Sequence, residues 1–117
     1  MQEQKVDKPE PCTYNICTDT GNYEWDISKN EGNIQKHGIS FEEAITVFDD
    51  EFGFTVEDIK HSSLDEPRFQ AVGMSSNLHI LCVCHCIRNN DMTTRIISAR
   101  KATQTEVDAY EKRLFRE

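Results

Sequence analysis

Leu78-His79-Ile80-Leu81-Cys82-Val83-Cys84-His85-Cys86-Ile87-Arg88, then Asn89-Asn90-Asp91, then Thr93-Thr94-Arg95-Ile96-Ile97-Ser98-Ala99-Arg100-Lys101 is the stretch that decides the fold. Two runs rich in β-branched and apolar residues, separated by a cluster of turn formers, predict an antiparallel strand pair. Side chains alternate between the two faces of a strand. Alternation puts Cys82, Cys84 and Cys86 on one face of the first strand, and Val83, His85 and Ile87 on the other. It puts Arg95, Ile97 and Ala99 on one face of the second strand, and Ile96, Ser98 and Arg100 on the other. A charge on each face of an interior strand is costly unless it lies near a strand end or meets an anion. Arg95 and Arg100 therefore either reach solvent or help to bind phosphate, which suits the planar donor fork of arginine.

The same pattern extends to both sides of the hairpin. Arg68 to Met74 predicts a strand, Ser75-Ser76-Asn77 a turn, Phe52 to Ile59 a looser strand, and His61 to Pro67 a polar connection. Short links between these strands favour an antiparallel meander. Upstream, Tyr23-Glu24-Trp25-Asp26 predicts a short strand or turn, with Asp26 as the cap of a helix over about residues 27–37. Gly32 weakens that helix and Gly38 fits its left-handed stop. Ser40 and Glu43 form a capping box, and Phe41, Ala44, Ile45 and Phe48 line one face of a second helix over about residues 41–48. Thr103 and Glu106 repeat the capping box before a C-terminal helix carrying Val107, Tyr110 and Leu114 on one side. The expected class is α+β: a small antiparallel four-stranded sheet with two N-terminal helices and one C-terminal helix. Residues 1–22, with Pro9 and Pro11 and little periodicity, are expected to be a flexible acidic leader, and residues 23–117 a single domain.

A chain of 117 residues with 37% hydrophobic and 29% charged content suits one domain. No run of about 18 apolar residues predicts a membrane span, and no basic-then-apolar N-terminus predicts secretion, so the cytoplasm is the expected location. The five cysteines are odd in number and unevenly spaced, which argues for reduced thiols and against a disulfide scaffold. Cys82, Cys84 and Cys86 also lack the turn that closes a zinc tetrahedron, although a thiol-based metal or redox protein is the reading they would carry. The net charge of −8 opposes nucleic-acid binding by the whole surface. Its distribution is uneven: residues 41–66 sum to −8, whereas residues 85–101 sum to +3. An acidic half beside a local basic patch suits a basic partner on one side and a small anionic site on the other.

No His-Glu-x-x-His, phosphate-cradling glycine loop or Gly-x-Ser-x-Gly elbow occurs. His37 reads as a helix-end residue and His79 as a surface residue. What remains is a metal-free inventory of His61, Glu66, Arg68, His85, Arg88, Arg95 and Arg100. RNA cleaves itself when its 2′-hydroxyl attacks the adjacent phosphate. An enzyme for that reaction needs a base, an acid and cations around the phosphorane. Histidine, glutamate and arginine can supply them.

Several motifs then become specific together. Trp25-Asp26, Lys29-Asn30, Asn33, Lys36-His37-Gly38-Ile39-Ser40-Phe41-Glu42-Glu43-Ala44 and Val47-Phe48-Asp49-Asp50 resemble the opening of the BrnT family of type II toxin–antitoxin toxins. His61, Glu66, Arg68, Gly73, His85, Arg88, Arg95 to Thr103, Glu106 and Tyr110 continue the resemblance over about residues 23–112. It implies a RelE-like fold and RNA cleavage without a metal or other cofactor. It also implies a BrnA-type ribbon-helix-helix antitoxin as partner in a hetero-oligomer, with DNA contacted only through that antitoxin. On this reading Arg88, Arg95 and Arg100 hold phosphate and transition-state charge, His61 and His85 transfer protons, and Glu66, Arg68 and Lys101 assist substrate binding. One departure stands out: the family commonly carries a glutamate where this chain has Ile87. That substitution carries the alternative expectation, a catalytically degenerate homologue that only binds antitoxin and regulates a promoter.

Overall fold

A computed structural model describes residues 12–88 and 90–115. Along these residues the elements run β1 (Thr13–Thr18), β2 (Gly21–Asp26), α1 (Ile27–His37), α2 (Phe41–Ala44), β3 (Phe54–Glu57), β4 (Arg68–Met74), β5 (Ile80–Arg88), β6 (Thr93–Lys101) and α3 (Gln104–Leu114). A 3₁₀ segment, Ile45–Asp49, follows α2, and a 3₁₀ turn, Ile59–His61, follows β3. The strands form one sheet in the order β1-β2-β6-β5-β4-β3.

This architecture corrects the four-stranded antiparallel expectation. The sheet has six strands and is mixed, because β2 pairs parallel with β6. Both additional strands come from a hairpin ahead of α1, and β1 lies within the segment expected to be a flexible leader. Its sequence, Thr13-Tyr14-Asn15-Ile16-Cys17-Thr18, is largely polar, and its residues are exposed or half-buried, as suits an edge strand. Tyr14 stacks on Trp25, its register partner, with ring centroids 5.0 Å apart. Residues 1–11, and Asn89 of the expected hairpin turn, lie outside the described residues. Asn90 and Asp91 of that turn have φ of 58° and 70°, the left-handed region in which these side chains are tolerated.

The helix ends follow the caps read from the sequence except at the Ser40–Glu43 box, where Ser40 Oγ accepts from Glu43 N–H but the Glu43 carboxylate bonds to Ser75 and His79 instead. The Asp26 carboxylate accepts from the N–H groups of Ser28 and Lys29. Gly38, at φ 73°, ends α1 in the left-handed conformation. Thr103 and Glu106 form a complete capping box. The second helix is shorter than expected: one α-helical turn continued as 3₁₀. It must pass close to β4, where a Cβ on Gly73 would come within 2.9 Å of Val47 Cγ1.

Each sheet face has a different cover. α2 and the 3₁₀ segment after it, with Ile39, pack on one face over Tyr23, Trp25, Ala71, Leu81, Val83, Ile96 and Ala99, while α1 lies beside β6 with Asn33 as its buried residue. Trp25 and Phe41 are fully buried there, and burying one such side chain contributes roughly 1.5–3 kcal/mol. α3 covers part of the other face through Tyr110, which packs with Val72 and Cys82. The remainder of that face is open.

Candidate active site

A β-bulge decides which side chains reach the open face. Cys84 pairs with Ser98, but His85 pairs with Ile96, so β6 carries one extra residue at Ile97. Strict alternation placed Arg95 and Arg100 on opposite faces. The bulge corrects that: Ile96 joins the core with Ala99, and both arginines fall on the side of the three cysteines. Across the open face the register rows read Arg68–Cys86–Arg95–Glu24, then Gln70–Cys84–Ser98, then Val72–Cys82–Arg100. A groove of about 330 Å³ opens over the middle of this face, lined by Asp58, His61, Arg68, Gln70, Cys84 and Arg100 among others.

His61 enters this groove from the turn after β3. The Arg68 carbonyl accepts from Asp58 N–H at 2.7 Å and from Ser62 Oγ at 3.2 Å, which clamps the turn onto β4. Asp58 caps the turn, and its Oδ2 lies 2.9 Å from His61 Nδ1. Gln70 Nε2 donates to the same oxygen at 3.2 Å. Burial acts to raise the Asp58 pKa, but the His61 hydrogen bond and charge, with Gln70, more than offset it. The carboxyl is held below its ordinary value and is ionised at neutral pH. The His61 side chain is 60% exposed and that of Asp58 only 8%, so His61 alone of this pair meets solvent. Among the described residues no hydrogen bond to His61 Nε2 is present.

The arginines are paired. Glu66 bridges Arg68 and Arg88, and Cys86 Sγ also donates to it. Burial would raise the Glu66 carboxyl, but the Arg88 charge and these hydrogen bonds hold it below its ordinary value. Arg95 meets Glu24 at 2.8 Å. Arg100 forms a two-pronged pair with Glu106, at 2.8 and 3.1 Å, and also donates to the Lys101 carbonyl at 3.3 Å. The Glu106 hydrogen bond raises the Arg100 guanidinium further, and Arg100 in return lowers the Glu106 carboxyl. Three glutamates thus hold four arginines around one face.

Two of the expected residues stand apart. His85 lies on the covered face, buried between Phe48 and Phe69, with Nδ1 3.1 Å from the Val83 carbonyl. Burial pushes its pKa down despite that hydrogen bond, so it is neutral and packed in the core. Lys101 is exposed at the end of β6, in register with Leu81. Ile87 follows the alternation of His85 and therefore lies across the strand from Cys86 and Arg88. His79, expected at the surface, is partly exposed and bonds to Glu43 at 2.8 Å.

The cysteines form the floor. Burial pushes all three β5 thiols up, Cys82 to about 12, so they are protonated at neutral pH. Among the described residues no group of three or more His, Cys, Asp or Glu side chains is placed to hold a metal ion. No helix among them is long and apolar enough to cross a membrane.

Sequence reasoning missed Asp58, Gln70 and Ser98. The first had a signal, a carboxylate three residues before a histidine in a turn-forming segment. Gln70 had one too, by alternation from Arg68 along a strand. Ser98 on the floor depends on the bulge.

The family model described as the ribonuclease toxin BrnT of type II toxin–antitoxin systems matches residues 25–106. Among solved structures, that of the Brucella abortus ribonuclease toxin BrnT matches with a TM-score of 0.51 and 26% identity, over 68% of this chain and 94% of that one. The comparison with curated proteins found no match.

Proposed function

The chain belongs to the BrnT family of ribonuclease toxins of type II toxin–antitoxin systems, and from that premise we propose that it is a metal-independent endoribonuclease acting in the open-face groove. The observation that carries this reading is the convergence of His61, Arg68 and Arg100 on one groove, with His61 backed by a buried carboxylate. His61 Nε2 takes the proton of an RNA 2′-hydroxyl, which attacks the adjacent phosphorus. Arg68 and Arg100 stabilise the charge gathering on the phosphorane oxygens, and Arg88 and Arg95 extend the positive margin along the strand. The products are a 2′,3′-cyclic phosphate and a 5′-hydroxyl end, the leaving 5′-oxygen taking its proton from water in the open groove. The base and the charge stabilisation both fall to side chains, so the attack itself calls for no metal. His85 supports the site by packing and transfers no proton.

Family membership implies an antitoxin partner. We take it to be a BrnA-type ribbon-helix-helix protein, which matches its basic segments to the acidic surface and carries the DNA contacts of the complex. The cytoplasm, where RNA is met, is the location this requires.

A second reading has its own support. Arg68, Arg88, Arg95 and Arg100 are already paired with glutamates, and Ile87 stands where the family commonly has a carboxylate. On that reading the chain binds antitoxin and regulates a promoter without cutting RNA.

Induced expression separates the two. Growth arrest that is relieved by co-expressing the neighbouring open reading frame, with RNA cleavage that persists in chelator and disappears in His61→Ala, is the expected result. Absence of arrest from folded protein supports the binding module.

A further inference from the structure

We propose that Asp58 is a positioning residue for His61, fixing the imidazole with its proton on Nδ1 so that Nε2 is the nitrogen offered to substrate; this role rests on the ribonuclease reading above. Asp58 cannot act on RNA itself, since its side chain is only 8% exposed. It can act through His61, because Asp58 Oδ2 lies 2.9 Å from Nδ1. An ionised carboxylate only accepts hydrogen bonds, so that contact requires an N–H on Nδ1. In a neutral imidazole the other nitrogen then carries the lone pair.

The support for Asp58 is itself rigid. Gln70, in the middle of β4 and in register with Val56 and Cys84, donates to Oδ2 from the side at 3.2 Å. The Asp58 N–H is tied to β4 and its Oδ1 accepts from His61 N–H at 3.4 Å. Both ends of the aspartate are therefore held before substrate arrives, and the imidazole is held through it. The charged side chains lining the groove with this pair, Arg68 and Arg100, are cations engaged by Glu66 and Glu106. Among the described residues the Asp58 carboxylate is the one anion bonded to the ring.

Asp58→Asn keeps the size of the side chain but offers an amide in place of an obligate acceptor. An amide N–H turned toward Nδ1 forces the ring proton onto Nε2 and removes the base. The test pairs ¹⁵N NMR of the His61 ring with cleavage kinetics on an RNA oligonucleotide. In the wild-type protein the neutral ring is expected to show the proton on Nδ1, a measurement that needs no variant. In Asp58→Asn that signature is expected to be lost, with kcat down about tenfold or more and KM changed little, the split that marks a lost transition-state role. A wild-type ring protonated on Nε2, or an Nδ1 proton retained in Asp58→Asn, overturns the proposal. So does a variant whose KM rises at unchanged kcat. Failure of the underlying reading looks different: the wild-type ring shows the expected tautomer and the RNA remains intact.

Discussion

Asn33 and Ala99, 66 residues apart, pair as though the side chain were a strand. Asn33 Nδ2 donates to the Ala99 carbonyl at 2.8 Å, and its Oδ1 accepts from the Ala99 N–H at 3.1 Å. β2 pairs with β6 only from Thr93 to Arg95, so among the described residues no strand neighbours the backbone at Ala99 on that side. α1 supplies the partner instead. The same Asn33 amide also donates to the Ile39 carbonyl at 2.9 Å, which fixes the turn between α1 and α2.

Asn33→Ala leaves buried backbone groups at Ala99 and Ile39 unpaired. The expected loss is about 3 kcal/mol or more in a denaturant titration, since three buried groups lose their partner at about 1–3 kcal/mol each. A loss below about 0.5 kcal/mol, the range of an ordinary surface substitution, counts against this role for Asn33.

Tyr110 joins α3 to the segment before β3 by donating its hydroxyl to Asp50. Burial, and then the Asp50 carboxylate, push its pKa up to about 12. A tyrosine that ionises less readily folded than unfolded contributes stability that is full below pH 10 and lost as the pH rises toward 12. Wild-type stability is therefore expected to fall across that window more steeply than that of Tyr110→Phe. Parallel alkaline limbs in urea titrations of the two proteins refute the linkage.

Much of this was legible because local chemistry fixed it. Asp26, Gly38, Ser40 and Thr103 announce helix ends, and the turn formers around β5 and β6 announce the hairpin. Tertiary context decided the rest. β1 has too little apolar patterning to declare itself, and its worth lies in Tyr14 stacking on Trp25. The parallel β2–β6 pairing joins residues about 70 positions apart with no local signature. The bulge at Ile97 leaves no mark in an Ile-Ile-Ser run, yet it decides whether Arg95 and Arg100 share a face. His85 shows the limit from the other side: a residue with catalytic chemistry belongs to the core because of the strand face it occupies.

Glu66 occupies the two guanidiniums of Arg68 and Arg88 that a phosphate would otherwise engage. A substrate must share or displace that carboxylate. Glu66→Gln is expected to bind a non-cleavable 2′-O-methyl oligonucleotide roughly fivefold more tightly at low salt, with the gain shrinking as salt rises. Weaker binding by the variant means that Glu66 orients the arginines for substrate instead of competing with it.

Arg100 lines the groove, whereas Arg95 lies outside it, on the row of Cys86 and against Glu24 on β2. Arg100→Ala is expected to relieve growth arrest with antitoxin binding retained, and Arg95→Ala to relieve it less. The comparison is made by colony counts on induction and by co-purification with the antitoxin. Normal toxicity of both variants removes the arginines from the mechanism.

Ile87 tests which face of the sheet does the chemistry. It follows His85 by two residues along β5, so its side chain leaves the strand away from Cys86, Arg88 and the groove. A carboxylate placed there points to the margin of the covered face, where Ile87 is already 38% exposed. Ile87→Glu is therefore expected to leave RNA cleavage unchanged, because it adds no group beside His61. If cleavage instead rises sharply, the reacting phosphate lies on the His85 side of β5. His61 would then be a bystander, and the arginines reaching that side would need to be sought at the strand ends.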